Sequence, residues 1–249
     1  MRDRESERDR LGRLLLLVAL AAGCLTAGCA GERSRAGAIA PDGSDVFTLM
    51  DFRTPLDLSA LPAGWSHRTF RRHDPMDVSF VTKDGRAAIR LETHDTASML
   101  FRQVDVPIDA YPFLHWEWLI EQGIDVPHDE LTPAGDDHPA RLYLGFESRE
   151  GDSHAMEIIW GNQKLGAGDW KHLSFLFGLI DFPHYVANGG AANVGRWHRQ
   201  RVDLRDLYRE VWGDPQGARL TEIALFCDTD ETGAHSIAYF GPITVHRRP

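Results

Sequence analysis

The stretch Phe113-Leu114-His115-Trp116-Glu117-Trp118-Leu119-Ile120 decides the fold class, because apolar and polar side chains alternate along its centre. In a β-strand, successive side chains point to opposite faces. Trp116 and Trp118 would therefore share one face, while His115 and Glu117 would share the other. This two-residue period predicts a half-buried strand.

Similar segments lie on both sides of this stretch, separated by turn residues such as Lys83-Asp84-Gly85-Arg86. We predict further strands at residues 46–52, 87–93, 98–106, 140–146, 156–160, 220–227 and 236–245. One helix is predicted at residues 204–212, where Asp203 supplies an N-cap and Gly213 ends the helix. This pattern predicts an all-β fold, an antiparallel β-sandwich of the jelly-roll type with one short helix.

The N-terminal segment predicts export. Residues 14–22 form a continuous apolar run. It is shorter than the ~20 apolar residues that a transmembrane helix needs, but its length suits the core of a signal peptide. The following Leu25-Thr26-Ala27-Gly28-Cys29 looks like a bacterial lipobox, in which the cysteine carries the lipid. We expect residues 1–29 to be a lipoprotein signal peptide, with Cys29 as the attachment site and Cys24 as the alternative. An ordinary secretory signal with incidental cysteines is the other interpretation.

The rest of the chain is expected to comprise a flexible tether at residues 30–44, rich in Gly, Ala, Ser and charge, and one β-sandwich domain at residues 45–249. The predicted location is the outer membrane, facing the periplasm. Cys227 is the one cysteine after the signal region, so no internal disulfide is expected. The formal net charge of −10 disfavours a nucleic-acid partner, because phosphates would repel the protein.

Several short motifs together carry a family resemblance. They are Leu61-Pro62-Ala63-Gly64-Trp65, Trp116-Glu117-Trp118, the blocks at residues 134–143 and 227–233, Ile159-Trp160-Gly161, Gly195-Arg196-Trp197 and residues 238–243. With them the chain resembles the bacterial family catalogued as domain of unknown function 3047, except in the His- and Phe-rich segment 170–193. The resemblance implies a sandwich similar to galactose-binding-like modules, and it implies no known activity.

A first group of candidate binding residues is Asp136, Asp137, His138 and Arg141. Two carboxylates, an imidazole and a guanidinium are costly to bury unless they are paired. Together they would suit sugar hydroxyls, a cation or acid–base chemistry. The alternative is a structural ion pair between one Asp and Arg141, with His138 in a solvated loop.

A second candidate is Asp228-Thr229-Asp230-Glu231-Thr232-Gly233, which begins like a calcium loop. The twelfth position is Tyr239 where an EF-hand requires Glu, which excludes an EF-hand. Calcium bound by Asp228, Asp230 and a distant carboxylate is one hypothesis. A turn whose side chains bond backbone amides is the other.

The leading functional hypothesis is a non-catalytic module that binds a carbohydrate or cell-envelope polymer. Its ligand-binding residues would be Arg102, Trp116, Trp118, Asp136, Asp137, His138, Arg141, Asp228 and Asp230. Tryptophans can stack on sugar rings, although alternating tryptophans are more often core residues. One alternative is a glycan-acting hydrolase or lyase that pairs Asp137 with Glu117 or Asp228. Another is a structural interaction protein without a small ligand.

Motifs for nucleotide binding, serine hydrolases and HExxH zinc enzymes are missing from the sequence. Residues His172 and His184 flank a Phe-rich segment that we interpret as a loop able to cover a site.

Overall fold

The computed structural model describes residues 37–175 and 180–249, and within them the chain folds into fourteen strands and one α-helix. The strands are β1 (Val46–Met50), β2 (Trp65–Thr69), β3 (Asp77–Lys83), β4 (Arg86–His94), β5 (Ser98–Pro107), β6 (Phe113–Gln122), β7 (Arg141–Glu147), β8 (Ser153–Gly161), β9 (Trp170–Phe175), β10 (Ile180–Gly189), β11 (His198–Asp203), β12 (Arg219–Phe226), β13 (His235–Phe240) and β14 (Ile243–His246). The helix is α1 (Leu204–Trp212), and two 3-10 turns lie at Pro133–Gly135 and Ala191–Asn193.

The strands form two seven-stranded sheets. The first sheet has the order β1-β14-β6-β13-β4-β3, and β11 also pairs with β6. The second sheet has the order β2-β5-β12-β7-β8-β10-β9. The strands pair antiparallel except for β8 and β10, which run parallel. The predicted jelly-roll β-sandwich with one short helix is therefore confirmed.

The hydrophobic core lies between the two sheets, as the alternation in β6 predicts. Trp118 of the first sheet packs edge-on against Trp160 of the second, with ring centroids 5.8 Å apart. Leu142 and Leu144 of β7 are fully buried in the same cluster. Because side chains alternate along a strand, Arg141 and Tyr143 of β7 point to the opposite, outer face of the second sheet.

Helix α1 begins and ends where the sequence predicts. The side chain of Asp203 accepts a hydrogen bond from the amide of Arg205 at 2.9 Å, and Gly213 adopts a positive φ of 89° at the C-terminal end. Its buried face carries Leu207 and Tyr208. In the part of the chain that the structure describes, no helix is both long and apolar enough to cross a membrane.

Two segments differ from their prediction. Residues 236–245, predicted as one strand, form β13 and β14, because the chain is interrupted at Gly241-Pro242 and proline has no amide to donate. The segment 170–193, interpreted as a loop, contains β9 and β10, which extend the second sheet.

The predicted signal peptide, including Cys24 and Cys29, and the first half of the predicted tether lie outside the described residues. In the second half of the tether, Ile39 forms a parallel bridge with Val104 of β5. The amide of Asp105 donates to the carbonyl of Ile39 at 2.8 Å, so this part of the segment contacts the domain.

Candidate functional site

A buried cluster of charged side chains occupies the outer face of the second sheet. The strand register places Tyr143 of β7 beside Glu157 of β8, Glu157 beside His184 of β10, and His184 beside Lys171 of β9. Arg141 lies two residues before Tyr143 and thus on the same face. The sheet itself therefore brings charged residues from four strands together.

Arg141 lies at the centre of this cluster. Its Nη1 donates to Glu157 Oε2 at 2.7 Å and lies 3.5 Å from Asp136 Oδ2. Its Nε lies 2.9 Å from Asp228 Oδ1, in an ion pair. The side chains of Arg141 and Glu157 are only 3% and 1% exposed, so these charges are compensated by protein groups and not by bulk water.

Lys171 and His138 complete the cluster on its other side. Lys171 Nζ donates to Asp136 and to His138 Nε2, the latter at 3.1 Å. His138 Nδ1 lies 2.9 Å from the carbonyl oxygen of Trp160. Because the carbonyl can only accept and the Lys ammonium can only donate, the neutral imidazole carries its proton on Nδ1.

The charges in this cluster are fixed by their surroundings. Burial opposes ionisation, but the neighbouring carboxylates Asp136, Asp228 and Glu157 raise the pKa of Arg141 well above its usual value. Burial would raise the pKa of Glu157, but Arg141 and His184 bring it below its usual value. Burial and the neighbouring Lys171 and Arg141 lower the pKa of His138 well below its usual value, which keeps its ring neutral.

A second group, of four carboxylates, adjoins Arg141. One oxygen each of Asp137, Asp228, Asp230 and Glu231 lies within 4.8 Å of the others. Burial and the neighbouring acidic groups raise the pKa of Asp230 to about 6 and that of Glu231 to about 12. Carboxylate oxygens at this spacing are the ligands that Ca²⁺ prefers.

The loop that follows β12 gives these carboxylates their positions. Asp137 Oδ2 accepts a hydrogen bond from the Thr232 amide at 2.7 Å, and Asp137 Oδ1 accepts one from the Glu231 amide at 3.3 Å. The His138 amide donates to Asp228 Oδ1 at 3.2 Å. The block around Asp137 and the loop after Asp228 are therefore joined to each other.

Both groups line one cleft with about 390 Å³ of free space, open solvent at its mouth included. Apart from Ala97, its lining consists of aromatic and charged side chains: Phe70, Asp136, Arg141, Glu157, Phe182, Phe226, Asp228, Asp230 and Glu231. Arg141 Nη2 and Glu157 Oε1 are buried and have no hydrogen-bond partner among the described residues. Both residues line the cleft, so an unpaired donor and an unpaired acceptor lie in its wall, covered from solvent, beside aromatic rings.

Six of the nine predicted binding residues come together here: Asp136, Asp137, His138, Arg141, Asp228 and Asp230. Arg102 does not join them, because its Nη1 donates to the carbonyl of Ala63 at 2.9 Å and its guanidinium lies over the ring of Trp65.

The predicted stacking residues Trp116 and Trp118 also lie elsewhere. Their rings are 2% and 0% exposed in the core between the sheets, where their large apolar area is buried. Glu117, considered as a catalytic partner of Asp137, lies in the first sheet and accepts hydrogen bonds from Arg86 and Arg199. Neither tryptophan nor Glu117 reaches the cleft.

The sequence analysis did not assign Glu157, Lys171, His184 or Glu231 as ligand-binding residues, although Glu231 lies within the predicted calcium-like motif. Glu157 had a usable signal, since it is the one charged residue in the apolar strand Met156-Glu157-Ile158-Ile159-Trp160. Lys171 and His184 were missed because their segment was interpreted as a loop. His184 is fully buried in the sheet, which corrects its interpretation as part of a mobile cover.

Solved structures with a similar arrangement of strands include carbohydrate-binding and glycoside hydrolase domains. A family 30 carbohydrate-binding module of a cellulosomal cellulase from Clostridium thermocellum is 10% identical, with 80% of this chain and 96% of that chain covered and a TM-score of 0.41. An endoglucanase from Rhodothermus marinus is 8% identical, with 74% and 92% covered and a TM-score of 0.41. A family 12 glycoside hydrolase is 10% identical, with 73% and 92% covered and a TM-score of 0.45.

No curated protein matches the chain. The model of the family DUF3047, described as a protein of unknown function, matches residues 63–244, a range that contains both the charged cluster and the carboxylate group. The family suspected from the sequence motifs is thereby confirmed, and the chain belongs to the DUF3047 family.

Proposed function

We propose that this protein binds a carbohydrate or cell-envelope polymer in the cleft on the outer face of the second sheet. The observation that carries the proposal is the composition of the cleft, where Phe70, Phe182 and Phe226 stand beside buried Arg141 and Glu157 with unused hydrogen-bonding atoms. Sugars present hydroxyl groups together with apolar C–H faces. A cleft with a few convergent polar groups and aromatic walls is complementary to both.

The proposed site includes a calcium ion held by carboxylate oxygens of Asp137, Asp228, Asp230 and Glu231, whose mutual distances support this assignment. A divalent ion would compensate the crowded negative charge that, together with burial, raises the pKa of Asp230 and of Glu231. In this proposal, the ion's remaining coordination positions are available to sugar hydroxyls.

The test is a binding screen by calorimetry against purified glycans and envelope polymers, each with calcium and with excess chelator. We expect saturable binding that the chelator weakens. Phe182→Leu should weaken binding by about two- to twelvefold, because an aromatic contact contributes about 0.5–1.5 kcal/mol. Trp197→Leu is the matched control. Trp197 donates a hydrogen bond to Asp84 beside the first sheet, so this variant should leave the affinity for the glycan unchanged.

Saturable binding that Phe182→Leu and Trp197→Leu affect equally would contradict the location of the site. Binding to none of the polymers, with folding of the protein verified by circular dichroism, would contradict the proposal and favour an interaction protein without a small ligand.

A second candidate function is hydrolysis of the bound glycan. It would require the calcium-free cleft, and it is favoured there by Asp230, whose pKa is raised to about 6 chiefly by burial, in the same cleft as Glu157, whose pKa is lowered by Arg141 against the effect of burial. Carboxyl groups with pKa values shifted apart can act as acid and base in glycoside hydrolysis. New reducing ends in the wild type, lost in Glu157→Gln, would assign this activity; intact glycan after prolonged incubation would exclude it.

We further propose that the protein is an exported lipoprotein attached through Cys29, with Cys24 as the alternative. The support is the apolar run followed by the lipobox-like sequence. A tether after the cysteine would place the cleft where envelope polymers are accessible.

A further inference from the structure

A second group of potential ligand atoms lies on the outer face of the first sheet, away from the cleft. Along β4, Leu91 and Thr93 point into the sandwich, so Glu92 and His94 between and after them point outward. His235 is the first residue of β13 and is the direct cross-strand partner of His94. Two imidazoles and a carboxylate from distant parts of the sequence therefore share one surface.

The three side chains converge on a single point. His235 Nε2 lies 2.9 Å from Glu92 Oε1, and His94 Nε2 lies 3.4 Å from the same oxygen. The two imidazole rings are stacked, with centroids 3.9 Å apart and planes inclined by 11°. All three ligand atoms lie within 4.8 Å of one another.

These separations match the edges of a metal coordination shell. Zinc bonds of about 2.0–2.2 Å in tetrahedral geometry place neighbouring ligand atoms about 3.4 Å apart. The two measured nitrogen–oxygen distances, 2.9 and 3.4 Å, differ from that value by half an ångström or less. The two imidazole planes are inclined by only 11°, so at least one ring must turn before both nitrogen lone pairs point to one ion. Both histidines lie on the surface, so this rotation requires no movement of the strands.

The surroundings of the carboxylate also suit a metal site. Arg90 Nη1 donates to Glu92 Oε2 at 2.7 Å, which leaves Oε1 directed at the two histidines. Carboxylates that bind metals are commonly held by a second hydrogen bond of this kind. The side chains of His94 and His235 are 60% and 40% exposed, so an ion can enter from solution and keep water in a fourth position.

We propose that Glu92, His94 and His235 bind a divalent transition-metal ion, with Zn²⁺ preferred over Ca²⁺ and Mg²⁺. Two imidazole nitrogens favour zinc, whereas calcium and magnesium take oxygen ligands. The ion would connect the end of β4 to the start of β13. His235 follows the loop that carries Asp228 and Asp230, so bound zinc would also restrain that loop.

The experiment uses the full chain purified without a polyhistidine tag, because a tag would itself bind zinc. Zn²⁺ is titrated by calorimetry and in competition with a chromophoric chelator. We expect the tightest binding step to involve one zinc ion per chain, and we expect zinc to increase the thermal unfolding temperature. His94→Ala and His235→Ala should each weaken zinc binding by roughly tenfold or more. A hundredfold excess of Ca²⁺ should not displace the zinc.

His246→Ala is the matched control. His246 stacks on His115 in a similar way, with ring centroids 3.8 Å apart, but the charged neighbour of His115 is Arg201, whose charge opposes a second cation. Zinc affinity should be unchanged in this variant. Circular dichroism without metal establishes that each variant is folded, and the more exposed His94 provides the variant least able to disturb the fold.

Absence of tight stoichiometric zinc binding in the wild type would overturn the proposal. So would equal weakening by His246→Ala and His235→Ala, or full retention of affinity in the folded His94→Ala and His235→Ala variants. None of these three outcomes bears on the glycan cleft, because Glu92, His94 and His235 are separate from the residues that line it.

Discussion

Arg141 is the residue on which the buried charges of the cleft depend. It compensates Glu157, Asp136 and Asp228 at once, and its own side chain is 3% exposed. A buried ion pair contributes little net stability compared with apolar residues, but removal of one partner leaves the other charges uncompensated. Arg141 is thus a structural requirement of the cleft as well as a potential ligand contact.

We expect Arg141→Met to lower the free energy of unfolding by about 3–5 kcal/mol, because a side chain of similar length replaces the charge that three carboxylates need. Urea denaturation followed by tryptophan fluorescence measures the change. Arg149→Met is the control, since Arg149 forms an ion pair with Glu150 at which both side chains are 62% exposed. Solvent screens the charges of that pair, so its removal should change the free energy of unfolding little. A loss of similar size in both variants would contradict the central role of Arg141.

Two connections between strands are joined to one another by hydrogen bonds beside the cleft. Glu130, in the connection between β6 and β7, accepts hydrogen bonds from the amides of Asn162, Gln163 and Leu165 at 2.7, 3.0 and 2.8 Å. Asn162 Nδ2 in turn donates to the carbonyl of Asp137 at 2.7 Å. One buried carboxylate therefore holds the loop after β8 against the block that supplies the cleft residues.

Glu130→Gln should release this loop. The amide group has one acceptor oxygen where the carboxylate has two, so at least one buried backbone amide loses its partner, at a cost of about 1–3 kcal/mol. Hydrogen exchange should become faster at residues 162–165, with a corresponding decrease in unfolding free energy. Asp206→Asn is the control, because Asp206 forms an exposed ion pair with Arg209 at 2.6 Å in α1, and exchange at residues 162–165 should be unchanged in it. Unchanged hydrogen exchange at residues 162–165 in Glu130→Gln would exclude the proposed role of Glu130 in holding this loop.

In the molecule as a whole, features that depend on local sequence pattern, such as strands and helix ends, were predicted from the sequence. Contacts that depend on the order of strands in a sheet were not. Alternation in the stretch around Trp116 predicted a strand, and Asp203 with Gly213 predicted both ends of the helix. Asp136 and Arg141 were recognised together because they are neighbours in sequence. Glu157 and His184 meet only because β8 pairs with β10 in parallel, and no local period encodes that pairing.

The dependence on strand order also explains why the sequence did not reveal the proposed metal-binding residues and why it left the role of the tryptophans open. His94 and His235 become neighbours through the pairing of β4 with β13, which a scan for short metal motifs does not detect. Conversely, alternation revealed that Trp116 and Trp118 share a face, but whether that face borders the core or a ligand depends on which side the other sheet packs.

If the protein is a lipoprotein as proposed, the whole molecule should be held on a membrane by its lipid. With a formal net charge of −10, the protein is repelled by anionic lipid head groups, so stable membrane association requires an anchor other than surface charge. We expect the wild type to fractionate with membranes, to resist extraction by high salt and to incorporate labelled fatty acid. Cys29→Ala should abolish the label and yield a soluble or unprocessed protein, whereas Cys24→Ala should retain both label and fractionation. The reverse pattern would assign Cys24 as the lipidated residue. Unchanged labelling and fractionation in both variants would exclude a lipid anchor at either cysteine, because no other thiol precedes Cys227.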